Sequence, residues 1–234
     1  MSNSYFQFKQ FTVWHDRCGM KVGTDGVLLG AWTRVTHSKR ILDVGTGTGL
    51  VSLMLAQRSD ALITAIDIDA DAVMQAKENV EKSPWAHRIA VEQHDFTSYQ
   101  AGALYDTIVC NPPYFIDSLK SPDKKRTTAR HTDELTYEDL FKGVALCMES
   151  TGEFTMIAPF DVYADLVTLA GKHHLYPIRC LLVLTKPGSN PKRVVVTFSF
   201  TQQPCDNETL LTEISRHQYS EEYIALTRDY YLNM

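Results

Sequence analysis

The chain has 234 residues, 44% of them hydrophobic and 22% charged, with a formal net charge of −5. That length and composition suffice for one ordinary domain with a full apolar core. No apolar run approaches the ~18–20 residues that span a bilayer, and the net acidity counts against general nucleic-acid binding while leaving room for a local basic cluster.

Five cysteines, at positions 18, 110, 147, 180 and 205, stand far apart with no C-x-x-C pair. Reduced thiols in a cytoplasmic protein are expected, with no membrane association and no metal site. The first ten residues hold no leader-like apolar stretch. The N-terminal stretch is rich in rings: Tyr5, Phe6, Phe8, Phe11 and Trp14. Phe6/Phe8 and Phe11/Val13 alternate, which predicts a hairpin lying over the domain, either as a packing flap or as part of a substrate surface. Thr24 or Asp25 is the expected N-cap of an apolar helix running to Trp32. A helix N-terminus beside Lys21 also suits a bound carboxylate; a simple cap accounts for the same residues.

Residues 40–56 read as strand, glycine loop and helix, with Asp43 ending the strand and Gly45, Gly47 and Gly49 in the loop. Glycines here permit a tight turn and close backbone approach to a ligand. The dinucleotide fingerprint G-x-G-x-x-G is not met, because position 50 is Leu. A second strand, 62–67, ends in Asp67 at the right distance for an acceptor to ribose hydroxyls. Ile68 follows and suits the cover of an adenine face. The next helix spans about 70–82, with Asp69 or Asp71 as a cap or first-turn charge. A third strand, 89–96, also has an acid near its end, Asp95, followed by Phe96.

The fourth strand, Thr107–Cys110, stops at Asn111-Pro112-Pro113-Tyr114. Neither proline has an N–H, and each restricts the residue before it to extended backbone. The result is a stiff turn that presents an amide, bare carbonyls and a ring at the C-terminal end of a strand, where open α/β sheets bind ligands. A planar exocyclic NH2 is a poor nucleophile because its lone pair is delocalised. Asn111 Oδ1 and the Pro112 carbonyl can take its two hydrogens and free that lone pair, while Tyr114 stacks on the planar group. A Pro-rich turn with Asn as turn former is the bland alternative. Beyond it, residues 118–131 form a loop carrying Lys124, Lys125, Arg126 and Arg130, read as a phosphate-contacting edge or as a solvated charged loop. A helix over 137–149, a strand over 152–158, a helix over 161–171 and a hairpin of 176–185 with 193–200 follow. Residues 201–219 read as a polar loop, and 219–232 as a helix docked on the domain.

The D-x-G-x-G-x-G run resembles motif I of S-adenosylmethionine methyltransferases, and N-P-P-Y resembles the N-P-P-[YFW] amino-methyltransferases of the class I fold. With K-V-G-T-D-G-V-L-L-G-A-W near the start and Y-I-A-L-T-R-D-Y-Y-L near the end, the chain resembles the bacterial tRNA1(Val) adenine-N6-methyltransferase family. The resemblance implies an α/β, Rossmann-like class I fold with a seven-stranded, mostly parallel sheet and one antiparallel strand. The whole would be one domain, with a cofactor-covering hairpin and helix (1–36), a core (37–200) and a C-terminal helix (201–234). It further implies S-adenosylmethionine as cofactor. Lys21, Thr24 and Asp25 would then face the methionine end, and Asp95 the adenine amino group with Phe96 flanking it. Asn111 would border both cofactor and target. The implied partner is a tRNA anticodon stem-loop, whose adenine flips into a slot beside Tyr114. An rRNA guanine-N2 methyltransferase and a release-factor glutamine-N5 methyltransferase share this chemistry. The latter family carries a helical domain ahead of motif I, whereas here a hairpin and one helix precede Asp43.

Overall fold

A computed structural model describes residues 3–18, 21–112 and 135–234. The chain opens with the hairpin β1 (Tyr5–Gln7) and β2 (Thr12–Trp14), then α1 (Thr24–Trp32). An alternating series follows: β3 (Arg40–Val44), α2 (Leu50–Arg58), β4 (Leu62–Asp67), α3 (Ala70–Glu81), β5 (Ile89–Gln93) and β6 (Tyr105–Cys110). Then come α4 (Tyr137–Cys147), β7 (Met148–Pro159), α5 (Tyr163–Gly171), β8 (Tyr176–Leu184) and β9 (Arg193–Ser199). The chain closes with β10 (Asp206–Leu211), β11 (Glu213–Ser215), β12 (Gln218–Tyr219) and α6 (Glu221–Thr227).

The main sheet has the order β10-β8-β9-β7-β6-β3-β4-β5. Neighbours pair in parallel except at β9, which runs antiparallel to both β7 and β8. The mostly parallel sheet with one antiparallel strand is therefore present. An eighth strand, β10, is added along β8 from the stretch expected to be loop, and β11 with β12 make a small hairpin in that same stretch. The last helix is shorter than its sequence pattern predicts, ending at Thr227.

Side chains on a strand alternate between faces, and that alternation divides the apolar residues into two cores. Ile41, Val109, Ile157, Leu181 and Val195 face a core shared with α1, α2 and the C-terminal Tyr223 and Tyr230. Leu42, Val44, Ile108, Cys110, Met156 and Val196 face the other, shared with α4 and α5. Both faces being covered, the strands read as near-continuous apolar runs.

From β3 the chain winds outward through β4 and β5, then returns to the other side of β3 for β6 and β7. The order reverses at the β3/β6 boundary, and the crevice outside the carboxyl ends of the strands at such a boundary is where α/β sheets bind ligands. The flanking segments are fastened around it. Asn79 of α3, 1% exposed, donates to Trp14 O and Thr48 O at 2.8 Å each and accepts the Trp14 N–H at 2.9 Å. Gln75, one turn earlier, accepts the Arg17 N–H at 3.1 Å. The hairpin is thus bonded to the third helix and, through Asn79, to the glycine loop. At the other terminus, Tyr230 donates its hydroxyl to Met54 O and accepts the Lys9 N–H on its carbonyl, joining both ends of the chain to α2.

Helix α1 is apolar all round because α2, α6 and the sheet enclose it. Its approach to α2 depends on Gly30, where a Cβ would stand 2.8 Å from Met54 Cβ. Gly30→Val should destabilise the fold by about 1–3 kcal/mol, the scale for overpacking a filled core. Gly171→Ala, whose Cβ would meet no atom within 4 Å, should be neutral or mildly stabilising. Urea unfolding of the two variants checks this; equal midpoints would contradict it.

Candidate active site

β3 and β6 pair with Val44 opposite Cys110, and β3 and β4 with Val44 opposite Ile66. Gly45, Asn111 and Asp67, each the next residue along, therefore stand at one level of the crevice.

The Asp43 carboxyl is buried at 1% exposure and accepts hydroxyl hydrogen bonds from Thr46 and Ser52, each at 2.7 Å on Oδ2. It ties the glycine loop to the first turn of α2. Burial raises its pKa to about 6; the bonds from Thr46 and Ser52 oppose that rise, and the nearby Asp67 charge adds to it.

Gly45, Gly47 and Gly49 have φ of +69°, +55° and +80°, the left-handed region that side chains other than glycine rarely adopt. A Cβ on Gly45 would meet no atom within 4 Å, and one on Gly47 would meet only Cys18 Sγ, at 3.9 Å. Backbone conformation, not crowding, requires glycine at these two positions, and the space before the loop is open to a ligand. The loop amides turn inward. Gly45 and Thr46 donate to Ile66 O, Gly47 to Asp67 Oδ2 at 2.8 Å, and Gly49 to Thr46 O. Amides bonded this way do not form the ring of N–H donors that cradles a phosphate.

A cavity of about 260 Å³ lies between this loop, the first turn of α1 and the Asn111–Pro112 turn. Helix α1 starts differently from the sequence expectation. Gly23, in extended backbone, is the N-cap and contributes no side-chain bond, so Thr24 and Asp25 are the first two helical residues. First-turn amides of a helix lack intrahelical acceptors, and here that turn, with Lys21 before it, lines the cavity. Gly26 lets the turn close on the other wall: its Cβ would stand 3.0 Å from Leu50 Cδ2 and 3.9 Å from Asn111 Nδ2. Asp25 accepts a hydrogen bond from Arg193 Nε at 3.0 Å, an ion pair that anchors the start of α1 to β9.

The remaining predicted residues divide. Asp67 accepts from Gly47 N and from Asp69 N, at 3.0 Å, which leaves part of its roughly four-site acceptor capacity. Ile68 beside it is 49% exposed. Asp95 caps a short 3₁₀ turn through Thr97 N at 2.8 Å. The Phe96 ring, 6% exposed, packs in the second core where a Cβ on Gly143 would stand 2.6 Å from it. The ring packs on α4 at the end of the third strand, beside Asp95. Pro112 is buried and Asn111 half-buried. Tyr114, Lys124, Lys125, Arg126 and Arg130 lie outside the described residues. Among the described residues, no group of three His, Cys, Asp or Glu side chains is placed to hold a metal ion. Sequence reading missed Ser52, Asn79 and Arg193 as supports of the site; nothing in their spacing marks them, because each acts across tertiary contacts.

Asp43 supplies a pH prediction. Its folded pKa is raised, so the native state holds the proton more tightly than the unfolded chain. The resulting stabilisation is complete below about pH 4 and is lost as pH rises through 6. The gap between 3.8 and about 6 corresponds to about 3 kcal/mol. Between pH 4 and pH 7, the stability of Asp43→Asn relative to wild type should shift in the variant's favour by up to that amount. Urea unfolding at the two pH values measures it, and a pH-independent difference would contradict it.

Comparison with known proteins gives the same picture from outside. The Methyltransferase small domain family matches residues 21–162. A relative from Bacteroides thetaiotaomicron, named tRNA1(Val) (adenine(37)-N6)-methyltransferase, is 59% identical over 236 residues, covering 100% of both chains. One of the same name from Flavobacterium psychrophilum is 43% identical, covering 98% of this chain and 100% of its own. Among solved structures, a predicted O-methyltransferase from Agrobacterium tumefaciens superposes with a TM-score of 0.69 at 20% identity, over 88% of this chain and 96% of that one, a likeness of fold. The agreement in sequence runs through both termini as well as the motif-bearing core, and the chain belongs to the tRNA1(Val) (adenine(37)-N6)-methyltransferase family.

Proposed function

We propose that the protein methylates the exocyclic N6 of adenine 37, beside the anticodon of tRNA1(Val), with S-adenosylmethionine as cofactor. The observation that supports this most is the position of Asn111 and Pro112. They follow directly on β6, level with the glycine loop, and line the same cavity.

S-adenosylmethionine supplies an electrophilic methyl group on a cationic sulfur. The residues of the cavity fit it. The open first turn of α1 and Lys21 suit its carboxylate. The remaining acceptor capacity of Asp67 suits a ribose diol, and exposed Ile68 suits an adenine face. Gly45 and Gly47 allow the backbone to come close. The inward-turned loop amides speak against a pyrophosphate in the same place, and so against a nicotinamide dinucleotide.

On the substrate side, Asn111 Oδ1 and the Pro112 carbonyl accept the two N–H hydrogens of the target amine. Both are fixed by the stiff turn, so they need no reorganisation as charge develops on the nitrogen. Tyr114 stacks on the base, and Lys124, Lys125, Arg126 and Arg130 hold neighbouring phosphates. A base of the anticodon loop is partly unpaired already, which lowers the cost of flipping it. Among the described residues no helix is long and apolar enough to cross a membrane, and a tRNA substrate fits a cytoplasmic protein.

Two substitutions test the reading. Asn111→Ala should lower kcat by roughly 10²–10³, the scale for one preorganised polar group, with a smaller change in KM for tRNA. A folded variant with near wild-type turnover would sink the amine-acceptor role. Gly47→Val places a branched residue at φ +55° and should abolish cofactor binding in calorimetry; undiminished affinity in a folded variant would remove the glycine loop from the cofactor site.

A further inference from the structure

Thr24 borders more than the candidate cofactor cavity. A larger hollow, about 630 Å³, lies between the N-terminal hairpin and the C-terminal segment, walled by Tyr5, Phe6, Tyr219, Tyr223 and Tyr231, with Thr24 at its edge. A third, about 490 Å³, meets both at Thr24 and carries Lys192 and Arg193. The three therefore border one another at the start of α1.

The rings of the large hollow fall into two kinds. Tyr223 is 3% exposed and belongs to the first core, with Tyr231 packed against that core, so this pair forms the floor. Tyr219 lies against Tyr223 with centroids 5.2 Å apart at 32°. Tyr5 and Tyr219 are 43% and 42% exposed and present open ring surface. Flat apolar bodies with wet hydroxyl tips suit a partner that is itself flat and polar at its edges. Glu213 borders both the aromatic hollow and the one holding Lys192. Lys192, which is exposed, stands in the second of these as the cation for a backbone passing alongside. Aromatic platforms next to a cation, bordering the candidate cofactor cavity at Thr24, are the equipment of single-strand nucleic-acid recognition.

We infer that this aromatic groove holds unpaired anticodon-loop bases flanking the target, stacked on Tyr5 and Tyr219, with Lys192 on an adjacent phosphate. The inference rests on the tRNA reading above but is tested by binding as well as by turnover. The double variant Tyr5→Ser/Tyr219→Ser changes two exposed rings and should leave folding and cofactor affinity intact. Binding of a fluorescein-labelled anticodon stem-loop, followed by anisotropy, should weaken at least about tenfold. KM for tRNA should rise in parallel with kcat nearly unchanged. Tyr5→Phe/Tyr219→Phe keeps the rings and should restore both. Wild-type stem-loop affinity in the Ser variant would overturn the inference and leave the methyltransferase reading standing. So would a wild-type dimer that the Ser variant dissociates, since the groove would then hold a second copy of the chain. Loss of stem-loop binding in the Ser variant, together with a wild type that methylates no tRNA, would uphold the groove and sink the proposed function. A wild type that binds no stem-loop would overturn the groove.

Discussion

The structure around the crevice depends on one buried carboxylate. Asp43, one residue before the end of β3, is buried at 1% exposure, where an ionised group without partners would be prohibitively costly. Thr46 and Ser52 hydroxyls meet it at 2.7 Å, and both can reach it only if the chain turns sharply back between them. That turn demands left-handed backbone at Gly45, Gly47 and Gly49. It also delivers the first turn of α2, whose Leu50 packs under Gly26 of α1. One polar contact thus sets the loop, the two helix starts and the width of the cavity between them.

The same arrangement separates the two sides of the proposed reaction. β4 brings Asp67 to the outer flank of the loop, where its carboxylate takes the Gly47 N–H. β6 brings Asn111 and Pro112 to the other flank. Parallel pairing with β3 fixes both at one level, because a register slip would turn the alternating apolar residues of β3 and β6 out of their cores. The rigidity of the site is therefore inherited from sheet packing rather than from the loop itself. The hairpin and the C-terminal segment, fastened by Asn79 and Tyr230, extend one wall away from the crevice, and their tyrosines form the groove that meets the cavity at Thr24.

Much of this was legible in the sequence where local physics decides the outcome. Apolar strands with an acid at or near the end, Asp43 and Asp67, and a glycine run after the first of them are local signals. Each produced the element expected. The misses share another cause. β10, with the sequence DNETLL, is mostly exposed and joins the edge of the sheet through backbone bonds to β8, so its side chains show no alternation to read. Gly23 is the N-cap of α1, and Asp25, one of the expected caps, instead pairs with Arg193, a residue 168 positions away.

The central claim is that the amine acceptors beside the glycine loop serve an adenine N6 in tRNA. The most direct measurement incubates the protein with methyl-labelled S-adenosylmethionine and, side by side, total tRNA, total rRNA and a release factor, and then identifies the labelled product by mass spectrometry. The account predicts N6-methyladenosine at position 37 of tRNA1(Val) and no label in the other two. Label recovered as N2-methylguanosine in rRNA or as methylated glutamine in the release factor would contradict it.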